Sequence, residues 1–119
     1  MSLINKFLEI TEKPRFEVVE VEKLGKIGLR LLTIETRDEW LEAQKNDPKT
    51  AFPILMKNTV CDPDSGELVL QELETEQLRK LPAMVEKDLF SKICKANGIK
   101  TQVEAKQEEE LKNSEAGQN

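Results

Sequence analysis

The clearest hydrophobic rhythm in the chain runs through residues 73–99. Val85, Leu89 and Ile93 recur every four positions, and Phe90 and Cys94 widen the stripe. That is the 3.6-residue period of a helix with one buried face. The spacing predicts a short helix over 75–81, a break at Pro82, and a longer helix to Asn97. Pro82 is expected at the first helical position, where a missing N–H costs nothing. Asn97-Gly98-Ile99 supplies the stop, with Gly98 in the left-handed cap and Ile99 folding back on the last turn.

Upstream the period changes. Residues 1–10 carry Leu3, Ile4, Phe7, Leu8 and Ile10, an amphipathic helix that Ser2 can cap. At that length it is marginal alone, so it is expected to cover the open side of the domain or to form a subunit contact. Residues 15–22 and 26–34 are rich in β-branched and bulky apolar residues, joined by Lys23-Leu24-Gly25 at hairpin length. Phe16 and Val18 share one face of the first run and Val19 and Val21 the other; Ile27, Leu29 and Leu31 share a face of the second. A lone hairpin is unstable, so this one must lie on the helices or pair with another copy.

A helix over 35–46 comes next, with two competing starts. Thr36 and Glu39 fit a capping box, and Thr33 fits a cap that places Glu35 near the positive helix end. Trp40 and Leu41, with Ala43 or Gln44, are its inner side, and Asp47-Pro48 ends it. Thr50 is expected to cap the next helix, with Pro53 inside its first turn and a face of Phe52, Leu55, Met56, Thr59 and Val60 reaching Cys61. Asp62-Pro63-Asp64-Ser65-Gly66 is a concentrated turn signal, and 67–70 reads as a brief extended piece. The expectation is an α+β fold, predominantly helical, with an N-terminal short helix and a β-hairpin followed by about four helices. It occupies residues 1–99, and 100–119 form a charged tail too poor in apolar residues to offset its ordering entropy.

Composition narrows the chemistry. The 119 residues suit one domain with one modest core. The net charge of −5, with lysines and glutamates interleaved, argues against nucleic-acid binding. No apolar run approaches a membrane span and no signal-peptide pattern opens the chain, so an intracellular, reduced protein is expected. Histidine is absent, which removes the usual general base and the usual metal ligand. Cys61 and Cys94 belong to no metal-binding pair and read as small core residues. Asp62-x-Asp64-x-Gly66 invites a calcium reading. Counted from Asp62, however, glycine falls at position 5 and leucine at position 12, where an EF-hand loop needs glycine at 6 and glutamate at 12. No catalytic residue, metal or cofactor is implied.

The exit of the second strand carries Arg30-x-Leu32-Thr33, then Arg37-Asp38-x-Trp40. Together with the downstream residues, this segment resembles the tail assembly chaperones of long-tailed bacteriophages. Those downstream positions resemble the family in the same order: Val60-Cys61-Asp62, Asp64-Ser65-Gly66, a short capped helix over 75–81, and a last helix closing at Asn97-Gly98. The order holds from about Leu3 to Ile99. Pro82 is a departure, since the family more often has small or polar residues there.

The resemblance implies a non-enzyme of the host cytoplasm, absent from the finished particle. It would coat the tape measure protein and keep it soluble until tail tube protein polymerises around it. It also implies a homo-oligomer and a frame-shifted long form of the same chain as partners. A chaperone of a helical client needs an apolar groove; candidate client or subunit contacts are Leu3, Phe7, Phe16, Val18, Trp40 and Phe90, each with a core role as the alternative. Two rival readings are an acidic oligomeric adaptor or inhibitor for a basic partner, and a small enzyme built on a carboxylate pair.

Overall fold

A computed structural model describes residues 2–99; the expected charged tail lies outside them. The fold is α+β and predominantly helical. Its elements, in chain order, are α1 (Leu3–Glu12), β1 (Phe16–Val21), β2 (Gly25–Arg30), α2 (Ile34–Asn46), α3 (Pro48–Thr59), β3 (Val60–Cys61), α4 (Thr75–Leu78) and α5 (Ala83–Ala96).

β1 and β2 form an antiparallel hairpin in register from Phe16↔Arg30 to Val21↔Gly25. Lys23 (φ +70°) and Gly25 (φ +78°) take the left-handed turn positions, and Leu24 N–H closes the turn on Val21 C=O at 3.0 Å. The hairpin is not alone. β3 pairs antiparallel with β2 through Gly28↔Cys61 and Leu29↔Val60, giving the order β1-β2-β3. Cys61 also bridges Leu68, the one paired residue of the expected extended piece at 67–70. The sequence predicts a helical face that continues to Cys61. Instead α3 ends at Thr59, because the backbone of the next two residues is taken up by the sheet. A two-residue strand has no period to betray it.

Alternation sorts the sheet into two faces. Val19, Val21, Ile27, Leu29 and Val60 join one apolar core with Leu55 and Met56 of α3, Leu78 of α4, and Val85, Leu89 and Ile93 of α5. Leu29 and Ile93 are fully buried. α5 packs on β1, α3 on β2, and α2 along α3. Phe90 sits between Trp40, at 6.0 Å between ring centroids, and Phe52, at 5.9 Å and nearly edge-on. On the opposite face Phe16 lies over Gly28 and under Gly66: a Cβ built on Gly66 would come within 2.6 Å of the Phe16 ring.

α5 is also tied to the hairpin by hydrogen bonds. Arg15 C=O accepts from Leu31 N–H, so positions 16, 18, 20 and 22 turn their peptide groups away from β2. Glu22 N–H donates to Asp88 Oδ2 at 3.1 Å, and Lys92 Nζ donates to Glu20 C=O while pairing with Asp88 at 3.1 Å. The helix stop is the expected one: Gly98 has φ +67°, and Ile99 N–H reaches Cys94 C=O at 2.8 Å while Gly98 N–H reaches Lys95 C=O.

Several local expectations need correction. Of the two starts open for α2, the structure uses Thr33: its Oγ1 accepts from Thr36 N–H at 3.1 Å, and Thr36 is buried one turn in. Leu41 faces solvent, because the aromatic contact with Phe90 turns Trp40 inward. α3 begins at Pro48 rather than after Thr50, so Pro53 falls inside the helix, beyond its first turn. α4 stops at Leu78 rather than Leu81; beyond it the chain tightens into i→i+3 turns, Lys80 N–H on Gln77 C=O and Leu81 N–H on Leu78 C=O. Pro82 is extended (ψ 140°), so it is the cap residue of α5 rather than its first helical residue; its C=O accepts from Val85 and Glu86. Leu31 is exposed: its N–H still reaches Arg15 C=O, but the strands themselves end at the Phe16↔Arg30 pair and the chain swings out to the Thr33 cap.

Two outcomes test this packing. Leu89→Ala removes a side chain that is 1% exposed and is expected to cost about 2–5 kcal/mol in chemical denaturation, through lost transfer energy and a cavity. The second concerns Asp88, whose carboxyl lies below its ordinary value of 3.8, first through the Glu22 N–H and then through Lys92. A folded value below the unfolded one gives stability that is present above the ordinary carboxylate range and lost as pH falls through the lowered value. Asp88→Asn is therefore expected to lower the urea midpoint at neutral pH, with the gap to wild type closing as the solution is acidified through that window.

Candidate functional site

The segment from Arg30 to Trp40 turns the chain from the end of β2 into α2, and the structure gives four of its six motif residues a task in the fold. Arg30 stands on the outer sheet face, where Nε donates to Gly66 C=O at 2.7 Å. This ties β2 to the Asp62–Gly66 turn. That turn is built by Asp62, whose Oδ1 accepts from Asp64 N–H at 2.8 Å and Ser65 N–H at 2.9 Å. Those donors hold the Asp62 carboxyl below the usual range, Ser65 most strongly. Beside Arg30, burial pushes the Cys61 thiol up against the pull of the guanidinium, so the sulfur stays a packed thiol rather than a nucleophile. Both cysteines are buried.

Leu32 is half-buried against the core, and its N–H donates to Asn97 Oδ1 at 2.7 Å. Asn97 Nδ2 in turn donates to Ile93 C=O at 2.9 Å. The end of α5 is thereby fastened to the exit of β2 across 65 residues of chain. Thr33 caps α2. Trp40 reaches the core beside Phe90. Arg37 and Asp38 pair only with each other, at 3.2 Å with both side chains more than half exposed, an arrangement that adds little stability. Arg30, Leu32, Thr33 and Trp40 thus work in the fold, and Arg37 and Asp38 are left on the surface.

The six candidate contact residues separate in the same way. Trp40 and Phe90 belong to the aromatic cluster and Phe16 is held between two glycines. Leu3, Phe7 and Val18 are exposed, at 69%, 66% and 49%. The expectation that the first helix covers the domain is not met: α1 is capped by Ser2, whose Oγ accepts from Asn5 N–H at 3.3 Å, and none of its residues is buried. Pro14 comes directly after it and sends the chain into β1 instead of back over the core.

Where α1 meets the body there is a groove of about 800 Å³, walled by Ile10, Thr11 and Pro14 on one side and by Leu31, Leu32 and Ile34 on the other, with Arg15, Glu35 and Glu39 among its polar lining. Sequence reasoning missed Leu31 and Ile34, the latter 73% exposed at the start of α2. The signal available was an apolar residue just after a helix cap. A smaller cavity of about 350 Å³ lies between Pro48, Phe52 and Pro53 of α3 and Leu78 of α4.

Among the described residues no group of acidic or cysteine side chains is arranged to hold a metal ion, and no helix is long and apolar enough to cross a membrane. The arrangement offers apolar binding surface. No protein-family model matches the chain, and no similar curated protein or solved structure is found.

The tie between Asn97 and Leu32 is testable. Asn97→Ala strands the Leu32 N–H and is expected to cost about 1–3 kcal/mol. Asn97→Asp keeps an acceptor for that N–H and should recover part of the loss. Equal urea midpoints for all three proteins would mean that water replaces the bond without cost.

Proposed function

We propose that this chain is a tail assembly chaperone of a long-tailed bacteriophage. In this role it coats the tape measure protein in the host cytoplasm, helps recruit tail tube protein, and leaves before the particle is complete. The observation that carries the reading is the order of motifs from Arg30-x-Leu32-Thr33 to Asn97-Gly98. It is supported by the hydrogen bond between Leu32 and Asn97, which fastens the first motif to the last. The apolar groove and the bare face of α1 add the surface that a helix-coating protein requires.

The chemistry of coating comes from scale. A small acidic protein with one groove holds a helical client weakly per copy. Many copies along one long client gain from high effective concentration. Apolar side chains carry such contacts, so moderate salt leaves them in place, whereas the contacts of an acidic adaptor to a basic partner would be screened.

Co-expression of a tape measure protein with this chain and its frame-shifted long form is expected to keep the client soluble, with less recovered when either form is omitted. Equal solubility with neither form present removes the chaperone reading. Salt-sensitive capture of a basic protein in its place would point to the acidic adaptor.

A further inference from the structure

We propose that α1 of one copy seats its apolar stripe in the groove at the hairpin exit of a second copy, which returns the same contact. This goes beyond the coating reading, because it assigns an occupant to the groove and to α1 when no client is present; a client helix would have to displace that occupant.

Three observations lead here. α1 has ten residues, a length at which a helix in water is marginal without a surface to lie on. Its stripe, Leu3, Phe7 and Ile10, is between 64% and 69% exposed. Ile10 belongs at once to that stripe and to the wall of the groove, so bare helix and groove form one continuous apolar surface. Second, the helix does not enter the groove of its own chain. Its last turn already forms one wall, and Lys13-Pro14-Arg15 is too short and too stiff a link to turn it over. Third, each chain carries one bare helix, α1, beside one groove. A client helix would fill the groove and leave α1 bare; an exchange between copies covers both at once. Such a contact is self-complementary and closes with two-fold symmetry.

The amounts agree. Leu3, Phe7 and Ile10 with Leu31 and Ile34 are between 48% and 73% exposed and make a patch of several hundred Å², a fair part of the ~800 Å² that one side of a standard interface buries. Isolated monomers seldom leave a patch of that size open. Charge agrees at one point: Lys6 flanks the stripe on α1, and the groove offers Glu35 and Glu39 to it.

The test uses the full chain without client. Sedimentation velocity at tens of micromolar is expected to show a dimer. Phe7→Glu on the helix and Ile34→Glu in the groove are each expected to weaken it at least tenfold. Both positions are open to solvent, 66% and 73% exposed, so circular dichroism should show the fold unchanged. In a second arm, Phe7→Cys and Ile34→Cys chains are mixed and oxidised, and a disulfide between unlike chains is expected; the native cysteines are buried and do not compete. A monomeric wild type, two glutamate variants that associate as tightly as wild type, or cross-links formed only between Phe7→Cys chains would each overturn the exchange. None of these results depends on the tape measure protein, so failure here leaves the coating reading to its own experiment.

Discussion

The structure depends on one contact surface, the inner face of the β1–β2 hairpin with α5 laid across it. A two-stranded hairpin cannot hold itself together in water, and a fourteen-residue helix gains most of its stability from the face it buries. Val21 and Leu29 on the sheet, with Val85, Leu89 and Ile93 on the helix, supply that burial. What makes the crossing specific is polar and lies at its two ends. Asp88 and Lys92 hold backbone groups of β1 near the turn, and Asn97 holds the N–H of Leu32 at the exit. Apolar contact tolerates sliding; paired backbone groups fixed at both ends do not. The other helices are added to this frame, α3 beneath β2 and α2 along α3, with Phe90 linking all three.

The part of this frame legible in the sequence is the part with a period. Val85, Leu89 and Ile93 announce the buried face of α5, and Asn97-Gly98-Ile99 announces its end, because local spacing alone decides both. The third strand was not legible, since two residues have no alternation to read and their partners lie more than thirty positions away. The Thr33 cap was one of two equal candidates until the burial of Thr36 separated them. Candidate contacts suffered from a different ambiguity. An aromatic residue reads alike whether it fills a core or waits for a partner, so Trp40, Phe90 and Leu3 looked equivalent. Only the packing separates them, and the exposed groove residues Leu31 and Ile34 carried no signal stronger than their hydropathy.

The edge of the sheet bears on how copies meet. β1 is an outer strand, and an open strand edge invites continuation from one chain to the next. Here the peptide groups of Glu20 and Glu22 are engaged by α5 side chains, and Glu17, Glu20 and Glu22 place like charges along the same strand. A second β1 brought alongside would find one end of the edge taken by α5 and carboxylates on both faces of the strand. The edge is thereby guarded against unlimited sheet growth from one chain to the next.

The Phe16 ring couples three positions that are distant in sequence. It rests on Gly28 and is roofed by Gly66, with no room for a Cβ at the latter. The volume of the outer face is thus shared between one large residue and two absent side chains. In evolutionary terms positions 16 and 66 should drift together, since a side chain at 66 needs a smaller residue at 16 as well as a tolerance of the left-handed backbone (φ +79°), while position 28 answers first to Cys61, whose Sγ would lie 2.6 Å from a Cβ there. A glycine in the middle of β2 then records the size of a neighbour on the adjacent strand, rather than any demand for flexibility.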